Sequence, residues 1–136
     1  MQQATDPNYL FVACCAERGL SVACQTVCNF REYNQNLLQN MLIGSHECPL
    51  DSLADMQFCA AQGRDHRDCC VRRGVNAVAA GDKCLVFCDQ IPDKYTHIDY
   101  TYASCFGKFD DMKQCFYENV QSKAKAFFSE EESGKN

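Results

Sequence analysis

The residues in this chain with chemistry to do are its twelve cysteines, and their spacing narrows what that chemistry is. They form two consecutive sets of six: Cys14, Cys15, Cys24, Cys28, Cys48, Cys59, then Cys69, Cys70, Cys84, Cys88, Cys105, Cys115. The intervals are 1, 9, 4, 20, 11 in the first set and 1, 14, 4, 17, 10 in the second. Thiols at this density and in even number oxidise to one another, which is the habit of proteins outside the reducing cytosol. The rival chemistry is zinc ligation, for which C-x-x-x-C is a half-site. The three histidines, His46, His66 and His97, stand singly and without ligand spacing, so neither a metal nor a cofactor is expected.

Geometry limits the pairing but does not fix it. Adjacent cysteines on a helix point about 100° apart, so Cys14 and Cys15 should bond to different partners and tie one helix to two others. A bridge between the two neighbours themselves would be badly strained. In C-x-x-x-C on a helix the sulfurs lie one turn apart on one face. Cys24 and Cys28 should therefore both reach towards one neighbouring helix, and Cys84 and Cys88 likewise.

The elements that carry these cysteines read as helices. Asp6-Pro7 is a capping side chain followed by proline at the first helical position, and Gly19 is a stop, giving a helix over about 7–18. Ser21 caps a second helix, carrying Cys24 and Cys28 and ending near Asn29. Leu37, Leu38, Met41 and Leu42 form a helical stripe that runs to Gly44. Ser52-Leu53-Ala54-Asp55 resembles a capping box for a helix over about 52–62 that ends at Gly63. Asp65 opens a short helix through Cys69 and Cys70 to Gly74, and Gly81-Asp82 starts another with Cys84 and Cys88 on it. The run from Tyr95 to Cys105 suits strand or helix by propensity; helix is preferred because its counterpart, 33–43, looks helical. Asp110-Asp111 begins a last helix over about 110–128, and 129–136 reads as a flexible polar tail.

Similarity between the halves goes beyond cysteine. Cys14-Cys15-Ala-Glu-Arg-Gly19 parallels Cys69-Cys70-Val-Arg-Arg-Gly74, so a helix stop recurs at the same offset. Asp55-Met56-Gln57-Phe58-Cys59 parallels Asp111-Met112-Lys113-Gln114-Cys115. The expected fold class is therefore all-α: one disulfide-rich helical domain over 7–128, built of two pseudo-repeated six-cysteine halves, about 7–63 and 64–128.

Bulk properties exclude several classes. A formal charge of −5 with scattered lysines and arginines argues against nucleic acid. The one concentration, Arg67, Arg72 and Arg73 beside Asp65 and Asp68, reads as a solvated helix face. No apolar run reaches the roughly 18 residues of a membrane span. The opening Met1-Gln2-Gln3-Ala4-Thr5-Asp6 lacks a basic start and an apolar stretch, so any leader is expected to have been removed.

The residues also carry a resemblance. Cys14-Cys15 … Gly19-Leu-Ser-Val-Ala-Cys24-Gln-Thr-Val-Cys28-Asn-Phe30 is similar to the DB module family. So are Glu47-Cys48-Pro49, Gly63-Arg-Asp65-His66-Arg-Asp-Cys69-Cys70 and Lys83-Cys84-Leu-Val-Phe-Cys88-Asp89. The likeness covers about 14–117, with a longer 75–83 loop as its main departure. It implies a twelve-cysteine extracellular domain with six disulfides, common in nematodes and often found beside immunoglobulin or fibronectin type III domains. It implies no catalytic motif.

The leading functional expectation is a secreted or ectodomain module that binds another extracellular or cell-surface protein. Tyr95, Tyr100, Tyr102, Phe106 and Phe109 are its candidate contacts, since aromatics are enriched at interfaces. The blander reading of the same residues is that most of them pack the second half's core. The alternative function is a carrier of lipid or another small apolar ligand, with Leu37, Leu38, Met41, Leu42, Ile43, Phe127 and Phe128 as a lining. An enzyme is not expected: no G-x-S-x-G, H-E-x-x-H or phosphate loop occurs. Asp65-His66 is the only tempting pair, and His66 reads as a surface or capping residue.

Overall fold

The computed structural model describes residues 6–90 and 99–134, the backbone alone beyond Gln121. Helix α1 spans Pro7–Glu17, with the Asp6 carboxylate accepting from the Asn8 amide at 3.0 Å. It stops at Gly19, whose φ of 73° is the left-handed turn a side chain would resist, and the Leu20 amide then donates back to Cys15 O at 3.1 Å. The second half repeats the device: α5 (Arg67–Arg72) stops at Gly74, φ 77°, and the Val75 amide donates to Cys70 O at 3.0 Å. Between them lie α2 (Val22–Gln25), α3 (Gln35–Leu42) and α4 (Leu53–Ala61), the last preceded by a 3-10 turn at Leu50–Ser52. The second half continues with 3-10 segments at Gly81–Phe87 and Tyr100–Lys108, then α6 at Phe109–Gly134. Among the described residues there is no strand, only an isolated bridge between Asp65 and Asp89, so the all-α expectation stands.

Several local expectations need correction. Ser52 closes the 3-10 turn instead of capping α4 with its side chain, because its backbone is already helical (φ −83°, ψ −9°); Asp55 in turn faces Arg18, whose Nε donates to it at 2.9 Å. The second helix is only four residues long and leaves Cys28 beyond its end. Residues 129–134, read as part of a flexible tail, lie within the helical span of α6. From Phe109 onward that stretch holds no proline, and its first glycine is Gly134, where the helix ends.

All twelve cysteines are bridged. Cys14 joins Cys59, Cys15 joins Cys28 and Cys24 joins Cys48; Cys69 joins Cys115, Cys70 joins Cys88 and Cys84 joins Cys105. Each half closes on itself in the same order: first to sixth, second to fourth, third to fifth. The adjacent cysteines do take different partners. The C-x-x-x-C pairs do too, contrary to expectation. Cys28 lies in the turn after α2 and looks back to α1, while Cys24 faces Cys48. Cys84 sits in a 3-10 segment, whose three residues per turn put Cys88 on another face.

The halves share one core. Phe11, Tyr33, Leu38, Met41, Leu53 and Met56 from the first are buried in the same cluster as Phe87, Phe106, Phe109, Met112 and Phe116 from the second. At the seam the Tyr33 ring meets Phe11 at 5.1 Å and Phe109 at 4.8 Å, both edge to face. The Tyr33 hydroxyl donates to Gln57 Oε1 at 2.6 Å, and Gln57 Nε2 donates to Phe87 O at 2.7 Å, a buried relay from one half to the other. Lys113 holds the place in the second half that Gln57 holds in the first, two residues before the sixth cysteine. Its Nζ donates to Phe30 O at 2.8 Å, so the reach is returned.

Burial pushes the Tyr33 phenol well above its ordinary value of 10.0. The folded state therefore keeps this proton at pH values where the unfolded chain releases it. The stability linked to it is complete below about pH 10 and falls as pH rises beyond, by up to ~1.4 kcal/mol per pH unit. Unfolding free energies measured on either side of that value should show the loss, and Tyr33→Phe should flatten it. An unchanged alkaline slope in the variant would remove Tyr33 as its source.

Candidate interaction surface

The 3-10 segment Tyr100–Lys108 opens on Asp99, whose carboxylate accepts from the Thr101 amide at 2.9 Å. That cap leaves Tyr100 on the outside, 76% exposed, the most exposed aromatic among the described residues. Tyr102, two residues on, is half-buried, its ring edge-on to Phe87 at 5.7 Å. The Lys83 ammonium stands 4.3 Å from the Tyr102 ring centroid and donates to the Thr101 hydroxyl. Thr101, Tyr102 and Lys83 thus form a small aromatic and cationic cluster directly after the outward Tyr100.

The other aromatic candidates part company with it. Phe106 and Phe109 are core residues, so they are not contact residues; the segment turns its apolar side inwards over Phe87 and Tyr33. Tyr95 lies outside the described residues, as does His97. In the stripe proposed as a ligand lining, Leu37, Leu38 and Met41 are packed into the core, Leu42 is half-buried and Ile43 is exposed. The side chains of Phe127 and Phe128 lie outside the described residues.

Two shallow clefts are present elsewhere. One of about 360 Å³ lies at the seam, lined by Phe30, Lys113, Gln114 and Tyr117, with Phe30 and Tyr117 edge to face at 5.7 Å. The other, about 310 Å³, lies between α5 and α6 beside the Cys69–Cys115 bridge, with Asp68, Arg72, Glu118 and Asn119 in its wall. Around it Arg67 clasps Asp65, and Arg73 reaches Asp111 and Glu118, all on the exposed side of α5 and α6. The charged cluster is indeed a solvated face, and such pairs contribute little singly.

His66 is the clearest misreading from sequence. It is buried, not superficial; it does stand at the N-cap position of α5, but its side chain makes no capping hydrogen bond. Its ring stands edge-on to Phe116 at 4.8 Å, with Nε2 2.9 Å from Ala61 O. A carbonyl only accepts, so Nε2 carries the proton in this contact. The signal was available: His66 precedes the buried Cys70 by four residues and so shares its inward face. Gln57 was missed in the same way. It follows Leu53 by four residues and adjoins Met56, a polar residue on the apolar side of α4. No group of His, Cys, Asp or Glu suited to holding a metal occurs among the described residues.

An all-α body, two halves closed by the same bridge order, and no free thiol define a disulfide-rich domain of extracellular type. The family model for the DB module matches residues 14–116, and the chain belongs to that family. No curated protein and no solved structure matches the chain.

Proposed function

We propose that this protein is a secreted or ectodomain recognition module that binds another extracellular or cell-surface protein through the patch around Tyr100. The observation that carries this reading is the placement of Tyr100, a large aromatic held outward by a capped segment whose next residues, Thr101 and Tyr102, engage Lys83. Tyrosine is among the residues that protein interfaces favour, and a crosslinked body presents it with little ordering cost. The module is read as non-catalytic. Every cysteine is committed to a bridge, His66 is turned to a backbone carbonyl, and Asp65 is clasped by Arg67.

The test is an avidity screen of the oxidised protein against a library of extracellular domains, repeated with Tyr100→Ala. A specific partner whose binding weakens about tenfold or more in the variant is the expected result, that being the scale of an interface anchor. A partner bound equally well by Tyr100→Ala and Tyr102→Ala would place the contact elsewhere.

A further inference from the structure

Accessibility divides the six bridges unevenly. Four of them, Cys15–Cys28, Cys24–Cys48, Cys70–Cys88 and Cys84–Cys105, have both cysteines fully buried. The two first-to-sixth bridges each have one half-buried member, Cys14 and Cys69. Of these, Cys69–Cys115 also forms part of a cleft wall, about 310 Å³ in volume, in which both cysteines take part. Thiol–disulfide exchange needs an attacking sulfur to approach along the S–S axis, so burial protects a bridge and an adjoining cleft exposes it.

We propose that Cys69–Cys115 is a redox-addressable joint, opened through this cleft by a dithiol reductant while the other five bridges stay closed. One thiolate of the reductant attacks Cys69 Sγ, on the less buried cysteine of the pair, forming a mixed disulfide and expelling Cys115 as a thiolate. The reductant's second thiolate then attacks its own sulfur in that mixed disulfide, closing the reductant's internal disulfide and releasing the Cys69 thiolate. Two electrons pass from the dithiol to the bridge, and the two protons lost by the dithiol reach the two cysteines through solvent. Arg72 shares the cleft wall with Cys115, as do the carboxylates of Asp65, Asp68 and Glu118. The bridge joins α5 to α6, so opening it loosens that junction alone. Met112 and Phe116 remain packed in the core, and Arg73 keeps its ion pairs to Asp111 and Glu118.

The experiment is timed reduction of the folded protein by limiting dithiothreitol, whose attacking form is a monoanionic thiolate, in high salt that screens the charges in the cleft wall. Samples are quenched with N-ethylmaleimide and mapped by peptide mass spectrometry. Label should appear on Cys69 and Cys115 at least about threefold faster than on any other cysteine, and any other order overturns the proposal. Hydrogen exchange on the selectively opened protein should then quicken about tenfold or more in α5 and in α6 from Phe116 to Gln121, with the first half unchanged. Unchanged exchange there would show that the bridge is no joint. Cys69→Ser/Cys115→Ser gives the open form permanently: it should fold and show the same exchange pattern, and failure to fold would contradict the sufficiency of five bridges.

Discussion

Phe109→Ala should lower the free energy of unfolding by about 3–5 kcal/mol, the range for emptying an aromatic site in a closed core. Phe109 is the first residue of α6, is almost wholly buried, and places its ring 4.8 Å from Tyr33. It is therefore a second-half residue seated against the first half, and truncation leaves a void between them. The crosslinks sharpen the effect, because bridged halves have little freedom to slide into the space. Equilibrium unfolding in guanidinium, with all bridges oxidised and far-UV dichroism as the readout, is the measurement. The midpoint should fall with little change in slope. A loss below about 1 kcal/mol would mean that the seam is not closed around this ring.

Gln57→Leu should cost about 2–5 kcal/mol, although leucine is similar in size and more apolar. The amide is the middle of the relay from the Tyr33 hydroxyl to Phe87 O, so its removal strands a buried donor and a buried acceptor together. Each orphaned group costs roughly 1–3 kcal/mol. Tyr33→Phe strands only the acceptor end of the amide and should cost less. The double variant should lose less than the two single losses combined, because removing Tyr33 Oη takes away one of the groups stranded by Gln57→Leu. Strict additivity in that cycle would show that the two side chains do not act through one bond.

How far the sequence reveals this molecule depends on the kind of signal. The even cysteine count, the repeated intervals and the glycine five residues after each leading cysteine are local features. They foretold two six-cysteine halves, α1 almost to the residue, and matched stops at Gly19 and Gly74. The pairing beyond that was hidden because it turns on helix length. Four residues of α2 and a 3-10 turn at Gly81–Phe87 break the one-face rule that longer α-helices obey. The candidate surface was half legible. Within the aromatic run, only the fold decides that Tyr100 faces out while Phe106 and Phe109 face in. His66 and Gln57 differ: helical spacing places both on inward faces, but their partners, Ala61 O and the Phe87 carbonyl of the other half, emerge only from packing.

The mutual reach of Gln57 and Lys113 has the form of an isologous handshake, in which like positions on two bodies each grasp the opposite body. The grasped carbonyls are not strictly equivalent, since Phe30 follows the fourth cysteine of its half by two residues and Phe87 precedes its own by one. Two copies of one such unit would meet the same rule as a homodimer, but only at concentrations high enough to find each other. Tandem fusion makes the encounter intramolecular, so assembly no longer depends on dilution. It also frees the twins to diverge, one keeping an amide at the contact and the other taking an ammonium.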